Sequence, residues 1–148
     1  MHGQDGTVLL VHTRRTEPSV FAAIAVGGAL GTAARYGVAQ LVDVAPDTFP
    51  WATFWTNITG SFALGLIFVL VLVHYPSTRC LRSFIATGFL GAFTTYSTFA
   101  VETDVLIKDG HAAVAVAYAV LSLVTGFAAA WLGIWMAHAA RLPSGDPD

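Results

Sequence analysis

The charged residues of this chain fall in a few tight clusters, and the apolar gaps between them are long enough to cross a lipid bilayer. A spanning helix takes about 20 apolar residues. Four stretches qualify: about Val20 to Leu41, Trp51 to about Val73, about Leu81 to Ile107, and about Ala112 to His138. They are separated by polar turns at Asp43 to Asp47, at His74 to Arg79 and at Lys108-Asp109-Gly110. Backbone polar groups in lipid must find partners within their own segment, which favours helices. Short connections make neighbouring helices antiparallel. The expected fold is therefore an all-α membrane protein of four transmembrane helices, with both termini on one side. Residues 1–19 read as a disordered N-terminal tail, 20–138 as the transmembrane domain and 139–148 as a polar C-terminal tail.

Composition removes several function classes. Only 11% of the residues are charged, against about 25% in soluble domains, so much of the surface faces lipid. A net charge of −2 offers nucleic acid no basic face. The single Cys80 excludes an intrachain disulfide and reads as a small apolar residue near a helix start. The histidines (His2, His12, His74, His111 and His138) lie in termini and turns without metal-ligand spacing. No Walker loop, dinucleotide glycine pattern or nucleophile elbow is present, and no base accompanies the many hydroxyls within a span. The chain does not read as an enzyme. Arg14-Arg15 resembles the start of a twin-arginine signal, but the apolar stretch that follows carries Arg35-Tyr36 and no Ala-x-Ala site before a soluble domain, which favours a plain cytoplasmic anchor.

What remains informative is polarity inside the spans, where polar groups face the protein interior. The third span holds Gly88-Phe-Leu-Gly91-Ala-Phe-Thr94-Thr95-Tyr96-Ser97-Thr98-Phe99. Glycine costs roughly 1 kcal/mol in a helix interior, and clustered Ser and Thr compete for backbone hydrogen bonds. The string predicts a helix broken mid-membrane, with carbonyls freed at one half-helix end and amides at the other, both able to hold ions. In the second span Thr53, Asn57, Gly60 and Ser61 fall at i, i+4, i+7 and i+8 and form one polar stripe. Asn57 serves there either as interhelical glue or as an amide donor aimed at a pore. Asn57-Ile-Thr59 also has the form of a glycosylation sequon, which membrane embedding discounts. In the fourth span Tyr118 and Ser122 stand one turn apart, with Thr125 and Gly126 a turn further on. Gly27 and Gly31 let another helix approach the first closely. Arg35 either snorkels to the interface or turns inward. Glu102 and Asp104, near the end of the third span, read as solvated or capping groups.

These residues resemble the Fluc family of small fluoride channels, also called the CrcB family, across roughly residues 22 to 135. The marks are Gly27-x-x-x-Gly31-x-x-x-Arg35-Tyr36, then Thr53-x-x-x-Asn57-x-x-Gly60-Ser61-Phe62-x-x-Gly65, and above all Gly88-x-x-Gly91-x-x-Thr94-Thr95-Tyr96-Ser97-Thr98-Phe99. The resemblance implies an antiparallel dimer of four-helix subunits in a bacterial inner membrane, with two fluoride pores built from both chains. It also implies a structural sodium ion at the dimer centre, held by the carbonyls of Gly91 and Thr94. The pore aromatics fall on Tyr96 and Phe99, the pore amide on Asn57, and the polar track on Tyr118 and Ser122. Thr53 joins that fluoride-facing set through its place on the Asn57 stripe. Function on this reading is passive fluoride efflux and fluoride resistance. Nucleic acid has no part in it.

The chain departs from the family pattern at several positions. Tyr96 stands where Phe is usual, and Gly126 where many relatives continue the polar track with a hydroxyl. Ala52 and Phe54 replace the Gly and Leu that commonly flank the second-span Thr. Arg14, Arg15, Arg79, Arg82 and Arg141 fall on the terminal side, against Lys108 and the partly embedded Arg35 on the other. Short loops obey the positive-inside rule, so the termini are expected in the cytoplasm. The partner is then a second copy of the chain or an oppositely oriented paralogue. A proton-coupled small-molecule exporter and a non-transporting membrane scaffold are the alternative functions. The first wants an acid deep in a span, and the second uses the polar residues only to glue helices.

Overall fold

The computed structural model describes residues 17–42, 48–74 and 79–140, and all regular structure among them is helical. Helix α1 spans Pro18–Leu41, starting with Pro in its first turn, where the missing N–H has no intrahelical partner to lose. Helix α2 spans Trp51–His74. The third membrane segment is in two halves. Its first half, α3a, begins at Arg79–Arg82, widens into a π-helix over Ser83–Leu90 and closes with the single turn Gly91–Phe93. The second half, α3b, spans Tyr96–Lys108, and α4 spans Ala112–Ala139. These make four segments long and apolar enough to cross a membrane, as the sequence predicts. The tails expected at 1–19 and 139–148 lie largely outside the described residues, as do the polar turns at 43–47 and 75–78.

Two close contacts organise the bundle. Helix α1 packs along the π-helical part of α3a, backbone against backbone: a Cβ at Gly27 would stand 2.4 Å from the Phe84 carbonyl oxygen, and one at Gly31 would stand 2.2 Å from that of Phe89. The first span's glycine pair is thus a helix-packing device, as expected of small residues spaced by four in membranes. The π-helix itself carries no signal that the sequence analysis found. On the other side, α2 and α4 run parallel and touch along much of their length, with Gly65 against the Ala130 carbonyl. Helix α3b lies against α4 beside them. The small buried core gathers where these three helices meet, around Phe54, Leu106, Ala115 and Tyr118.

Candidate functional site

The break in the third segment falls on Thr94 and Thr95, both with extended backbone. A side chain from α2 holds it open. Asn57 Nδ2 donates to the Thr95 carbonyl at 2.9 Å, and the Thr95 N–H donates to Asn57 Oδ1 at 2.8 Å. The amide therefore satisfies both backbone groups of Thr95, which lipid could not do. Thr95 in turn caps α3b, its Oγ1 accepting from the Thr98 N–H at 3.2 Å, the usual task of a Thr at a helix N-cap. Gly60, one turn from Asn57, leaves room for the break itself: a Cβ there would meet the Thr94 methyl at 2.3 Å. The second-span stripe is the surface on which the third helix is interrupted.

These hydrogen bonds have a consequence for the carbonyls upstream. In an unbroken helix the Gly91 carbonyl would accept from the Thr95 N–H and the Thr94 carbonyl from that of Thr98. Both donors are diverted, one to Asn57 and the other to the Thr95 hydroxyl. The Leu90 carbonyl, by contrast, accepts from both the N–H and the hydroxyl of Thr94. Gly91 and Thr94, the two residues the resemblance marks for a cation, thus have carbonyls among those at the end of α3a, with Ala92 and Phe93, that lose their helical donors. Neutral oxygens of this kind suit a hard monovalent cation. Among the described residues no cluster of His, Cys, Asp or Glu is arranged to hold a metal.

Beside the break runs a groove of about 240 Å³, lined by Asn57, Tyr96, Phe99 and Ser122 together with Ser61 and Gly126. Four of the six expected pore residues are therefore brought together. No charged side chain lines the groove. Tyr96 and Phe99 lie with ring centroids 5.9 Å apart and planes tilted by 41°. Tyr96 is 79% exposed in the single chain, so one wall of the groove is open. Ser122 Oγ is buried and has no hydrogen-bond partner.

The other two expected pore residues, Thr53 and Tyr118, lie elsewhere. Both donate to one carboxyl group: Thr53 Oγ1 to Glu102 Oε1 at 2.8 Å, and Tyr118 OH to Glu102 Oε2 at 2.7 Å. Tyr118 is fully buried. Its ring touches Phe99, with centroids 5.1 Å apart, so it backs the groove rather than lining it. This corrects the expectation for Glu102. Its side chain lines a cavity of about 620 Å³ and, beyond any contact with solvent, joins α3b to α2 and α4. The available signal was its position three residues beyond Phe99, on the same face of α3b. Asp104 does follow expectation: it faces solvent and pairs with Lys108 at 2.7 Å.

Arg35 turns inward instead of snorkelling. Its Nη1 donates to Thr98 Oγ1 at 3.4 Å, and its Nε is buried without a partner. It lines a second cavity of about 210 Å³ on the other side of the break, with Thr95, Thr98 and Thr53.

With this geometry in hand, comparison with known proteins is decisive. The family of CrcB-like proteins (Camphor Resistance) matches residues 22–134. The chain belongs to the CrcB family. It is 47% identical over 120 residues to a protein of Streptomyces avermitilis named fluoride-specific ion channel FluC 3, a match covering 81% of this chain and 59% of that protein. A second protein of the same organism, FluC 2, is 38% identical over 126 residues, or 82% of this chain and 80% of the relative. The fluoride-specific ion channel FluC of Hydrogenovibrio crunogenus is 43% identical over 114 residues, 76% of this chain and 86% of its own length. CrcB relatives are thus named as channels and not as enzymes, and this member is a multi-pass membrane protein.

Proposed function

We propose that this CrcB protein is a fluoride-selective channel that lets fluoride leave the bacterial cytoplasm passively and so confers fluoride resistance. Family membership and the names of its relatives support the ion. The observation that carries the reading is the uncharged groove in which an amide, two aromatic rings and an unpartnered buried hydroxyl converge. Ring edges carry partial positive charge, and Asn57 and Ser122 can replace part of an anion's hydration shell. Neutral donors hold an anion weakly enough for it to leave, as conduction requires. The groove also speaks against a proton-coupled exporter, because no acid lines it.

An open groove needs a cover, and the exposed Tyr96 and Phe127 mark the face on which a second chain would complete each pore. The dimer in this proposal is antiparallel. Gly91 and Thr94 of each chain would supply carbonyls to a sodium ion at its centre, which adds positive potential beside the pores. Exposed Arg79 and Arg82 at the terminal end, against a Lys108 already paired with Asp104, support termini on the cytoplasmic side of a bacterial inner membrane. A fixed orientation makes an oppositely oriented paralogue the partner. Purification of the chain expressed alone as a functional dimer would refute that choice in favour of a second copy.

Fluoride efflux from proteoliposomes, with chloride as control and no proton gradient, tests the function. Fast fluoride-selective flux that disappears in Phe99→Ile is the expected result. Absence of flux from correctly assembled protein would favour a scaffold.

A further inference from the structure

Several hydroxyl side chains within the spans satisfy themselves on their own helix. Thr56, Thr59, Thr94, Thr103 and Thr125 each donate to the carbonyl four residues earlier, at Ala52, Trp55, Leu90, Phe99 and Leu121. This back-bonding is how a hydroxyl satisfies itself on a membrane helix. Ser61 and Ser122 do not follow it. Ser122 Oγ is buried with no partner, and among the described residues Ser61 makes no intrachain hydrogen bond. Both line the groove described above and also a neighbouring cavity of about 260 Å³, which they share with Gly126, Phe127 and Ala130. The packing register sets Ser61 beside Gly126 and Gly65 beside Ala130, so Ser61 stands one turn beyond Ser122 along the bundle. Two hydroxyl donors are thus left uncommitted about one turn apart, on parallel helices, facing one space.

Gly126 explains why the second hydroxyl can reach that space. A Cβ at position 126 would meet only Ser61 Oγ, at 3.9 Å. The fourth helix offers no side chain there, and the hydroxyl of α2 stands next to the vacant volume. We infer that Ser61 is an anion-contacting residue of the pore, supplying across Gly126 the hydroxyl that α4 lacks one turn beyond Ser122. The pair forms a station for a small, partly dehydrated anion, with two O–H donors turned toward it and no competing charge. The unmade donor on the buried Ser122 Oγ costs more than a bond gained there returns, so the occupant is a ligand that accepts from it and can reach Ser61. This inference rests on the fluoride-channel reading above.

The test is fluoride efflux from proteoliposomes of four chains: wild type, Ser61→Ala, Gly126→Ser, and the double variant. Ser61→Ala is expected to slow efflux about tenfold, the size of one lost donor. Gly126→Ser restores the donor from α4 and is expected to bring the double variant back to within about threefold of wild type. A purely structural role for Ser61 would not be rescued from another helix. Should Ser61→Ala fail to assemble, Gly126→Val serves instead: it fills the space without a hydroxyl and is expected to slow efflux more than Gly126→Ser, which fills it with one. Efflux in Ser61→Ala at the wild-type rate, or a double variant no faster than Ser61→Ala, overturns the inference while leaving the channel reading intact. Wild-type protein that passes no fluoride overturns the channel reading and the inference together.

Discussion

The two halves of the third membrane segment are held by opposite means. Helix α3a meets α1 through bare backbone, with glycines of one helix against carbonyls of the other. Helix α3b is held by side chains: the Asn57 amide at its start, and the Glu102 carboxyl shared between Thr53 and Tyr118 further along. The polar side chains of the first half, Arg79, Arg82, Ser83 and Thr87, line neither cavity beside the break. The second concentrates donors, rings and hydroxyls on the faces that line cavities. Dispersion and close approach build a support that tolerates no added atom. Hydrogen bonds build a wall whose members can also address a guest. The boundary between these regimes is the two-residue break.

If that contrast is right, damage to the glycine contact is structural and damage beyond the break is functional. The largest effect is expected for Gly31→Val, whose Cβ would fall 2.2 Å from the Phe89 carbonyl. Only a backbone shift relieves such a clash, at more than about 3 kcal/mol, so detergent-extracted protein should be aggregated on size exclusion. A monodisperse, active Gly31→Val protein would dissolve the distinction. Next comes Asn57→Asp. It keeps the shape of the amide but removes the donor to the Thr95 carbonyl and can bring in a charge. Losing that donor leaves a buried carbonyl unpaired, and fluoride efflux should fall at least about a hundredfold with much of the protein still folded. Glu102→Gln retains one acceptor for the two hydroxyls of Thr53 and Tyr118. It should cost about 1 kcal/mol, read as a thermal shift of a few degrees. The smallest effect is expected for Tyr96→Phe, which keeps the ring and its tilt toward Phe99 and should change efflux by less than about threefold. A larger change would mean that the phenol, and not the ring edge, meets the anion.

The four segments were legible because charge avoids lipid, and that constraint acts on every residue of a span. The break was legible as well, since Gly, Ser and Thr crowd where a helix should be smooth. The resemblance marked Gly91 and Thr94, which lie in the run of carbonyls that the break leaves without helical donors. Less was visible wherever two helices had to be in register. Thr53 and Tyr118 each read as pore groups on their own helices, yet Glu102 claims both, a contact between residues far apart in sequence. Asn57 had two open readings, and the distances show at least the tie to Thr95. The π-helical stretch was invisible because nothing in the pattern of Ser83–Leu90 sets it apart from an α-helix, while its close contact needs glycines on both helices, Gly27 and Gly31 on α1 and Gly88 on α3a. Ser61 was on the page as part of a stripe, but its uncommitted donor appears only when neighbouring threonines are seen to satisfy themselves.

The contact between Asn57 and Thr95 is, in effect, a single rung of β-sheet inside a helical membrane protein. The second strand is reduced to one side chain. A rung pairs only one way: turning the amide over would set oxygen against carbonyl and N–H against N–H. The orientation of Asn57 is therefore fixed by the backbone it faces, and of its two amide hydrogens one is always committed to Thr95. Only the other is available to an anion, and its direction is set before any anion arrives. The interruption in the third helix is thus a rigid splice rather than a hinge, and ions passing beside it would meet a donor that does not need to move.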